Sequence, residues 1–272
     1  MQPVIRKFWP LVILATAPVV FGADAGPKLT YEQMEHFLQT AKVVKIKDLS
    51  TGVTNSRRAT LSDGTLQHDA HVQSIDESKA KFEGERGTEM NFRDTWKFNI
   101  AAYRLARMLD LDMIPPSVER KLNGTPSAVT WWVDNSMMET DRQKKHLESP
   151  DKDVWNREMY IVRVFDQLIF NTDRNLQNLL IDPDWHIWMI DHTRAFRLHT
   201  SLQEQKNLVQ CDRKLLTKLR ALDTNSLNSL KPYLAPGEIK GLLGRRDKIV
   251  KFFDDQVAQK GEGAVLYDRP TR

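Results

Sequence analysis

The order of apolar and polar residues predicts strands early in the chain. Apolar residues alternate with polar ones in "AKVVKIKDL", "RRATL" and "TLQHDAHVQSID", within residues 42–76, and a period of two is typical of strands with one buried face. Ser62-Asp63-Gly64 lies between the last two segments and favours a hairpin turn. The polar residues 77–89 predict a loop.

One helix and a second hairpin follow. In "FRDTWKFNIAAYRLARMLDL", residues 92–111, apolar residues recur at helical spacing, and Pro115-Pro116 ends the segment. "SVERKL" and "SAVTWWVD" flank Asn123-Gly124, a pair that favours a tight turn between strands. We therefore expect a strand-rich small lobe over residues 42–134, with one helix.

The second half of the chain predicts helices. A polar connector over residues 135–150 leads to a helix from Trp155 to Phe170. Two short strands, "NLLI" and "HIWMID", then flank a turn at Pro183-Asp184, and a helical pattern with a break at residues 232–236 runs to about Gln259. This pattern predicts a large lobe over residues 151–260, followed by a frayed tail, residues 261–272.

The first 25 residues are typical of a secretory signal peptide. Arg6 and Lys7 precede an apolar stretch, Phe8 to Phe21, and small residues follow it. An uncleaved anchor or a misassigned start codon are the alternatives. The pattern predicts export to a periplasm, a secretory lumen or the outside of the cell. Residues 26–41 form an N-terminal segment without a predicted element, and no later segment is apolar enough to span a membrane.

Composition narrows the class of protein. The 272 residues are 40% hydrophobic and 28% charged, which is typical of a folded domain. Because 40 Lys and Arg nearly balance 36 Asp and Glu, the net charge of +4 gives no reason to expect nucleic-acid binding. One cysteine, Cys211, excludes an internal disulfide and a cysteine-rich zinc site. The basic run "GRRDKIVK" predicts a solvated helix face.

Three oxygen-bearing residues are spaced for phosphoryl transfer. Asp173 and Asn178 lie five residues apart, and Asp191 follows thirteen residues later, after the apolar "IWMI". Phosphoryl transfer needs a carboxylate near the attacking hydroxyl and oxygen ligands that hold magnesium against the phosphates. We expect the two short strands to place these groups over a cleft.

These motifs resemble those of an atypical kinase-like group. "FDQLIFNTDRNLQNLLI" and "IDHTRAF" are similar to the catalytic and metal loops of HipA-like kinases, type II phosphatidylinositol 4-kinases and secretory-pathway kinases, and "NIAAYRLARMLDLDMIPP" is similar to their small-lobe helix and the strand after it. The resemblance covers about residues 42–200. It implies an α+β, two-lobed kinase-like fold, with Asp173 as catalytic carboxylate, Arg174 as loop-ordering cation, and Asn178 and Asp191 as ligands of Mg²⁺ or Mn²⁺.

The chain departs from this group in the small lobe. Kinases carry a phosphate-contacting lysine on the third strand and a glutamate on the helix, whereas the corresponding residues here are Gln73 and Asn99. Lys79 or Lys81 is the candidate substitute. In "STGVTNSRR", where a phosphate-covering loop belongs, the candidate nucleotide contacts are Gly52, Ser56 and Arg57.

The second hairpin ends where a kinase hinge would contact adenine. The candidate contacts are the backbone of Val133 or Asp134, with one of Trp131 and Trp132 expected in the core. Two histidines and two acids suggest a metal cluster, but strand alternation places the histidines on opposite faces, so a solvated pair is predicted. These residues are His68, His71, Asp69 and Asp76.

The sequence thus predicts a metal-dependent kinase that moves the γ-phosphate of ATP to an unknown hydroxyl acceptor. Two alternatives stay open: a pseudokinase that binds nucleotide without turnover, and nucleotidyl transfer with ATP in a reversed orientation. A bacterial periplasm has no standing ATP pool, so export from a bacterial cell would favour the pseudokinase.

Overall fold

A computed structural model describes residues 29–49, 56–84 and 87–269. The predicted signal peptide, residues 1–25, and Gly52 lie outside these ranges. No helix within them is both long and apolar enough to cross a bilayer.

The small lobe is built on a five-stranded antiparallel sheet. Its strands, in spatial order, are β1 (Lys42–Asp48), β2 (Arg57–Ser62), β3 (Gln67–Gln73), β7 (Thr125–Trp131) and β6 (Ser117–Leu122). The turn at residues 63–66 joins β2 to β3, and Asn123-Gly124, both with positive φ, joins β6 to β7. Both hairpins predicted from turn residues are therefore present.

The two faces of this sheet differ in character. Ala70 and Val72 of β3 pack with Phe37 and Leu38 of α1 (Tyr31–Thr40) in a small apolar core. Because side chains alternate along a strand, Asp69, His71 and Gln73 lie on the opposite face. The polar face is the one turned toward the large lobe, as the influence of the Asp191 charge on His71 indicates.

Helix α1 was not predicted, although it begins with a strong local signal. The Thr30 hydroxyl accepts a hydrogen bond from Gln33 N at 3.2 Å, and the Gln33 side chain accepts one from Thr30 N at 2.8 Å. This reciprocal cap stabilises the first turn. Phe37 and Leu38 then anchor the helix on the sheet.

The predicted loop over residues 77–89 is wrong. β4 (Asp76–Gly84) and β5 (Gly87–Thr95) form an antiparallel hairpin, and Phe82 stacks on Phe92 with ring centroids 4.2 Å apart. Most other side chains of β4 are exposed, so the hairpin lacks the apolar alternation that marks a strand. Helix α2 (Lys97–Met108) consequently begins several residues later than the sequence suggests.

The large lobe contains two long helices and a short hairpin. Helix α4 (Lys152–Ile169) packs on α6 (Pro236–Lys260), and β9 (Leu179–Ile181) pairs with β10 (Ile187–Met189) as predicted. The connector contains structure that was not predicted: β8 (Met137–Met138) pairs with β9 and leads into α3 (Glu139–Lys144). Helix α5 (Arg213–Ala221) completes the lobe.

One further prediction about the large lobe is wrong and another is wrong in part. The tail is folded as far as β12 (Leu266–Tyr267), which follows α7 (Glu262–Val265) and pairs in parallel with β11 (Cys211–Asp212). In the basic run of α6, Lys248 and Lys251 are exposed as predicted, but Arg245 is fully buried and donates to the carbonyls of Leu168 at 2.7 Å and Arg197 at 2.8 Å. Those carbonyls lack partners in regular structure, which explains why an arginine lies in the core.

Candidate functional site

Asp173 and Asn178 belong to one loop between α4 and β9. The loop begins after Phe170, whose φ of 50° ends the helix. Asn171 accepts a hydrogen bond from Asp173 N at 3.0 Å, and the Asn178 amide nitrogen donates to Asp173 O at 3.1 Å. These two side chains hold the backbone N–H and the backbone carbonyl of Asp173. The point from which the Asp173 carboxylate extends is therefore fixed.

Arg174 connects this loop to the elements around it. Its Nε and Nη2 donate to the two carboxylate oxygens of Asp166 on α4, at 2.9 and 3.1 Å. Its Nη1 donates to Asn178 O at 2.6 Å and to Ile190 O at 3.0 Å. One largely buried guanidinium therefore joins α4, the loop of Asp173 and the residue after β10.

Asp191 follows β10 in a conformation that suits a ligand site. Its φ of 54° is in the left-handed region, which non-glycine residues adopt rarely and often at functional sites. Thr193 Oγ1 donates to Asp191 Oδ1 at 3.1 Å. Ile190 N donates to Asn178 O at 3.1 Å, so Asp191 and Asn178 are attached to directly bonded backbone segments.

The small-lobe helix is tied to the metal loop by Asn99. Asn99 Oδ1 accepts a hydrogen bond from His192 N at 2.8 Å. The imidazole of His192 is buried beside Arg174, and burial together with the Arg174 charge holds its pKa well below the usual value. His192 is therefore neutral at physiological pH, and Asn99 has a structural task in holding the backbone beside Asp191.

The charges of Asp173 and Asp191 converge on Arg194. Burial disfavours the Arg194 charge, but the hydrogen bond and charge of Asp94, and then the charges of Asp173 and Asp191, raise its pKa. From the sheet, His71 lies within reach of the Asp191 charge, which opposes the lowering of its pKa by burial. We call the sheet face that carries His71 the cleft face, because it is the face within reach of the Asp191 charge.

The oxygen groups fit a hard divalent cation. Asn178 uses its amide nitrogen to hold Asp173 O, which leaves its amide oxygen as the atom of the right chemistry to face a cation, and Asp191 offers a carboxylate. Within residues 29–49, 56–84 and 87–269, no three His, Cys, Asp or Glu side chains form a metal-binding group. Mg²⁺ typically takes one or two protein oxygens and the rest from water and phosphates, so two ligands are sufficient.

The proposed phosphate contacts from the small lobe are placed differently. Gln73 Nε2 donates to Ser56 Oγ at 3.1 Å, and Gln73 Oε1 accepts from the backbone of the next two residues. Arg57 is paired with Val72, so it lies on the sheet face that packs on α1. Its neighbour Arg58, paired with His71, lies on the cleft face. Alternation from buried Ala59 and Leu61 would have indicated this difference.

The candidate substitute lysines lie on the β4–β5 hairpin. Lys79 forms an ion pair with Glu77 at 2.9 Å, and its ammonium is 5.4 and 5.9 Å from the ring centroids of Phe82 and Phe92. Lys81 pairs with Glu83 and is exposed. In the described chain, no ion pair or ring contact of either lysine involves Asp173 or Asp191.

The hinge region begins beside the cleft face of the sheet. The Arg58 guanidinium lies 4.1 Å from the centre of the Trp132 ring, and Arg58 pairs with Asp69. Ser136 Oγ donates to Val133 O at 2.9 Å, so the Val133 carbonyl already has a partner and its N–H is the group left for a base.

The expectation that His68 and His71 form a solvated pair is wrong. His68 stacks on Trp131 with ring centroids 3.7 Å apart and bonds to Trp132 O at 3.0 Å. His71 faces the cleft instead. The prediction that the two rings lie on opposite faces of β3 is confirmed.

Solved structures share this architecture. No protein-family model and no curated protein matches the chain. The crystal structure of the golgi casein kinase matches with a TM-score of 0.61 and 14% identity, over 89% of this chain and 79% of that one. The same kinase with Mn/ADP bound matches with a TM-score of 0.61 and 14% identity, over 89% and 80%. The Helicobacter pylori proinflammatory kinase CtkA matches with a TM-score of 0.47 and 10% identity, over 78% and 92%.

The class defined by these findings is a kinase-like α+β fold. The two matching structures of one kinase share this fold, which agrees with the kinase-like fold that the resemblance implied. At 14% identity the likeness establishes the fold alone.

Proposed function

We propose that this protein is a metal-dependent phosphotransferase that moves the γ-phosphate of ATP to a hydroxyl group. The observation that carries the proposal is the linkage of Asp173, Asn178 and Asp191 through bonded neighbours in one cleft. Two solved neighbours with this fold are kinases by name, and one of them holds Mn/ADP.

Each of the three residues has a distinct task in this reaction. Asp173 orients the acceptor hydroxyl and takes its proton as the oxygen attacks phosphorus. Asn178 and Asp191 would hold the cation. When bound, a divalent cation neutralises charge on the phosphate oxygens. Arg174 contacts no reactant and keeps the loop of Asp173 aligned with Asp191.

The residues proposed for the nucleotide belong to the small lobe. Val133 N–H would contact the base. Gln73 and Ser56, which are bonded to each other, and Lys79 are the candidates near the phosphates. Gly52 stays a prediction outside the described residues, and Arg57 is not proposed again because it lies on the opposite face of the sheet. The acceptor class is not specified by these residues, and export remains a prediction.

A pseudokinase is the second candidate, and Gln73 is the observation that favours it. By resemblance Gln73 takes the position of the phosphate-contacting lysine, and its side chain is bonded within the protein. An amide does not neutralise phosphate charge, so turnover would fall while nucleotide binding persists.

Titration of the chain with ATP, with and without Mn²⁺ or Mg²⁺, tests the proposal. We expect metal-dependent binding that Asp191→Ala abolishes and Asp173→Ala retains, because Asp191, unlike Asp173, would touch the cation. Equal nucleotide affinity in the wild type and Asp191→Ala would contradict the metal assignment.

Labelled ATP separates the possible reactions. Transfer of label from the γ-phosphate to protein or to water, lost in Asp173→Ala, supports phosphoryl transfer. Transfer of α-label instead indicates nucleotidyl transfer. Binding without transfer of either label indicates a pseudokinase.

A further inference from the structure

A buried ion pair links the β4–β5 hairpin to the metal loop. Arg194 Nε donates to Asp94 Oδ2 at 2.8 Å. The Asp94 side chain is 2% exposed, whereas that of Arg194 is 29% exposed. Asp94 therefore holds one edge of the guanidinium inside the protein, and the remainder of the side chain reaches solvent.

The backbone of Arg194 lies between the two functional loops. Thr172, which precedes Asp173, donates to Arg194 O from its hydroxyl at 3.0 Å and from its N–H at 3.4 Å. Asp191 lies three residues before Arg194 in the metal loop. A side chain that starts here is next to both the proposed catalytic carboxylate and the proposed metal ligand.

The two terminal nitrogens of the Arg194 guanidinium carry N–H groups that are unused within the described residues. In the part of the chain that the structure describes, neither Nη1 nor Nη2 of Arg194 forms a hydrogen bond; only Nε does. The charges of Asp173 and Asp191 favour the charged guanidinium. A partly exposed cation with unused N–H groups, between two carboxylates, is suited to an anionic group that enters the same space.

No other described cation has this placement. Gln73 is neutral, and Lys79 pairs with Glu77 and faces two phenylalanine rings. Arg174 uses its donors on Asp166 and backbone carbonyls. Arg58, on the cleft face, is held by Asp69 and lies over the Trp132 ring at the hinge. Arg194 is thus the described cation beside Asp173 and Asp191 that has hydrogen-bonding capacity left for a ligand.

We propose that Arg194 is a catalytic residue that donates hydrogen bonds to the phosphoryl group in transfer, in place of the lysine that β3 lacks, and that Asp94 is its positioning residue. The inference rests on the proposed function. In the reaction, the acceptor O–H bond breaks and its proton goes to Asp173, a new O–P bond forms, and the bond from γ-phosphorus to the bridging oxygen breaks to release ADP. Arg194 stabilises negative charge on the non-bridging oxygens during this step.

Comparison of ATP with ADP isolates this contact, because ADP lacks the phosphoryl group. We expect wild-type protein with Mn²⁺ to bind ATP more tightly than ADP. Arg194→Ala should reduce the affinity for ATP by about tenfold and leave the affinity for ADP unchanged. Hydrolysis of γ-labelled ATP should fall by about 10²- to 10³-fold. Arg194→Lys should recover part of both losses, since the charge is kept but the planar donor arrangement is not.

Two further variants keep the test independent of folding. Arg194→Ala leaves Asp94 buried without its partner, so the double variant Asp94→Asn/Arg194→Gln supplies a neutral pair that retains a hydrogen bond. It should fold and show the same loss of ATP preference. Arg220→Ala removes an arginine from an exposed pair with Asp254 and should behave as wild type.

The possible outcomes are distinct. An unchanged preference for ATP over ADP in both Arg194 variants overturns the inference and leaves the proposed function in place. Equal losses for ATP and ADP indicate a structural role for Arg194 and also overturn it. Loss of the ATP preference in Lys79→Ala, with Arg194→Ala unaffected, assigns the contact to Lys79. Absence of nucleotide binding in the wild type overturns the proposed function and this inference together.

Discussion

The guanidinium of Arg174 and the carboxylate of Asp166 meet edge to edge, with Nε–Oδ2 at 2.9 Å and Nη2–Oδ1 at 3.1 Å. Their side chains are 14% and 12% exposed. The pair therefore ties α4 to the loop that carries Asp173.

Removal of Arg174 should destabilise the whole large lobe. Arg174→Ala leaves Asp166 charged and buried, and we expect the free energy of unfolding to fall by about 3–5 kcal/mol. Arg174→Lys should lose less, because it keeps the charge but cannot contact both Asp166 oxygens and two carbonyls. Denaturant titration measures both. A loss below about 1 kcal/mol would mean that the pair behaves like an exposed one.

Asn99 should couple the small-lobe helix to metal-dependent binding. Asn99→Ala leaves the buried His192 N–H without its acceptor, which should cost about 1–3 kcal/mol. Because His192 follows Asp191, we also expect weaker binding of Mn²⁺–ADP, measured by calorimetry. Asn228→Ala, at an exposed position, is the matched control. Unchanged binding in Asn99→Ala would show that the metal loop is held without α2.

His186 should make stability depend on pH. Burial disfavours its charge, but the hydrogen bond and charge of Glu158, with Asp112 O, raise its pKa. A raised pKa in the folded state stabilises the protein fully below the unfolded value of about 6.5, and this contribution is lost as the pH rises through the folded pKa. Melting temperatures from pH 5 to 9 for the wild type and Glu158→Gln measure it.

The test uses the difference in melting temperature between the wild type and Glu158→Gln, because other groups also titrate in this pH range. We expect the melting temperature of the wild type to exceed that of Glu158→Gln by the largest amount at acidic pH. A difference that stays constant across the range would contradict the assigned ion pair.

Substitution of Gly241 by any residue with a side chain should destabilise the protein. A Cβ at this position of α6 would lie 2.8 Å from Arg197 O and 3.1 Å from Leu198 O. Because backbone cannot move aside easily, Gly241→Ala should destabilise the protein by about 1–3 kcal/mol. At Gly263, in α7, a Cβ would meet no non-neighbouring atom within 4 Å. Gly263→Ala is therefore the control and should be neutral or slightly stabilising. Equal denaturation midpoints for the two variants would contradict the contact.

The sequence predicted the parts of the site that are local. Asp173, Asn178 and Asp191 lie on one loop and one hairpin, within nineteen consecutive residues, so spacing alone predicted that they are neighbours, and hydrogen bonds link their segments. The ion pair of Asp94 and Arg194 joins residues 100 positions apart. No periodicity or turn signal reports such a contact, because it depends on how two lobes pack.

The sequence also failed to predict an element that is largely exposed and a charged residue that is buried. The β4–β5 hairpin has one apolar pair, Phe82 and Phe92, which is too little for a recognisable alternation. Arg245 was expected in solvent because arginine is seldom buried, and only the packed structure shows that backbone carbonyls at the end of α4 require it. Both cases follow from tertiary packing that local propensity does not contain.

The bonds from Arg174 to Asn178 O and Ile190 O exist in the protein alone. These bonds form when the chain folds, so a ligand that contacts both loops would not have to bring them together. Under the proposed function, we therefore expect nucleotide binding without a slow second phase caused by the joining of these two loops.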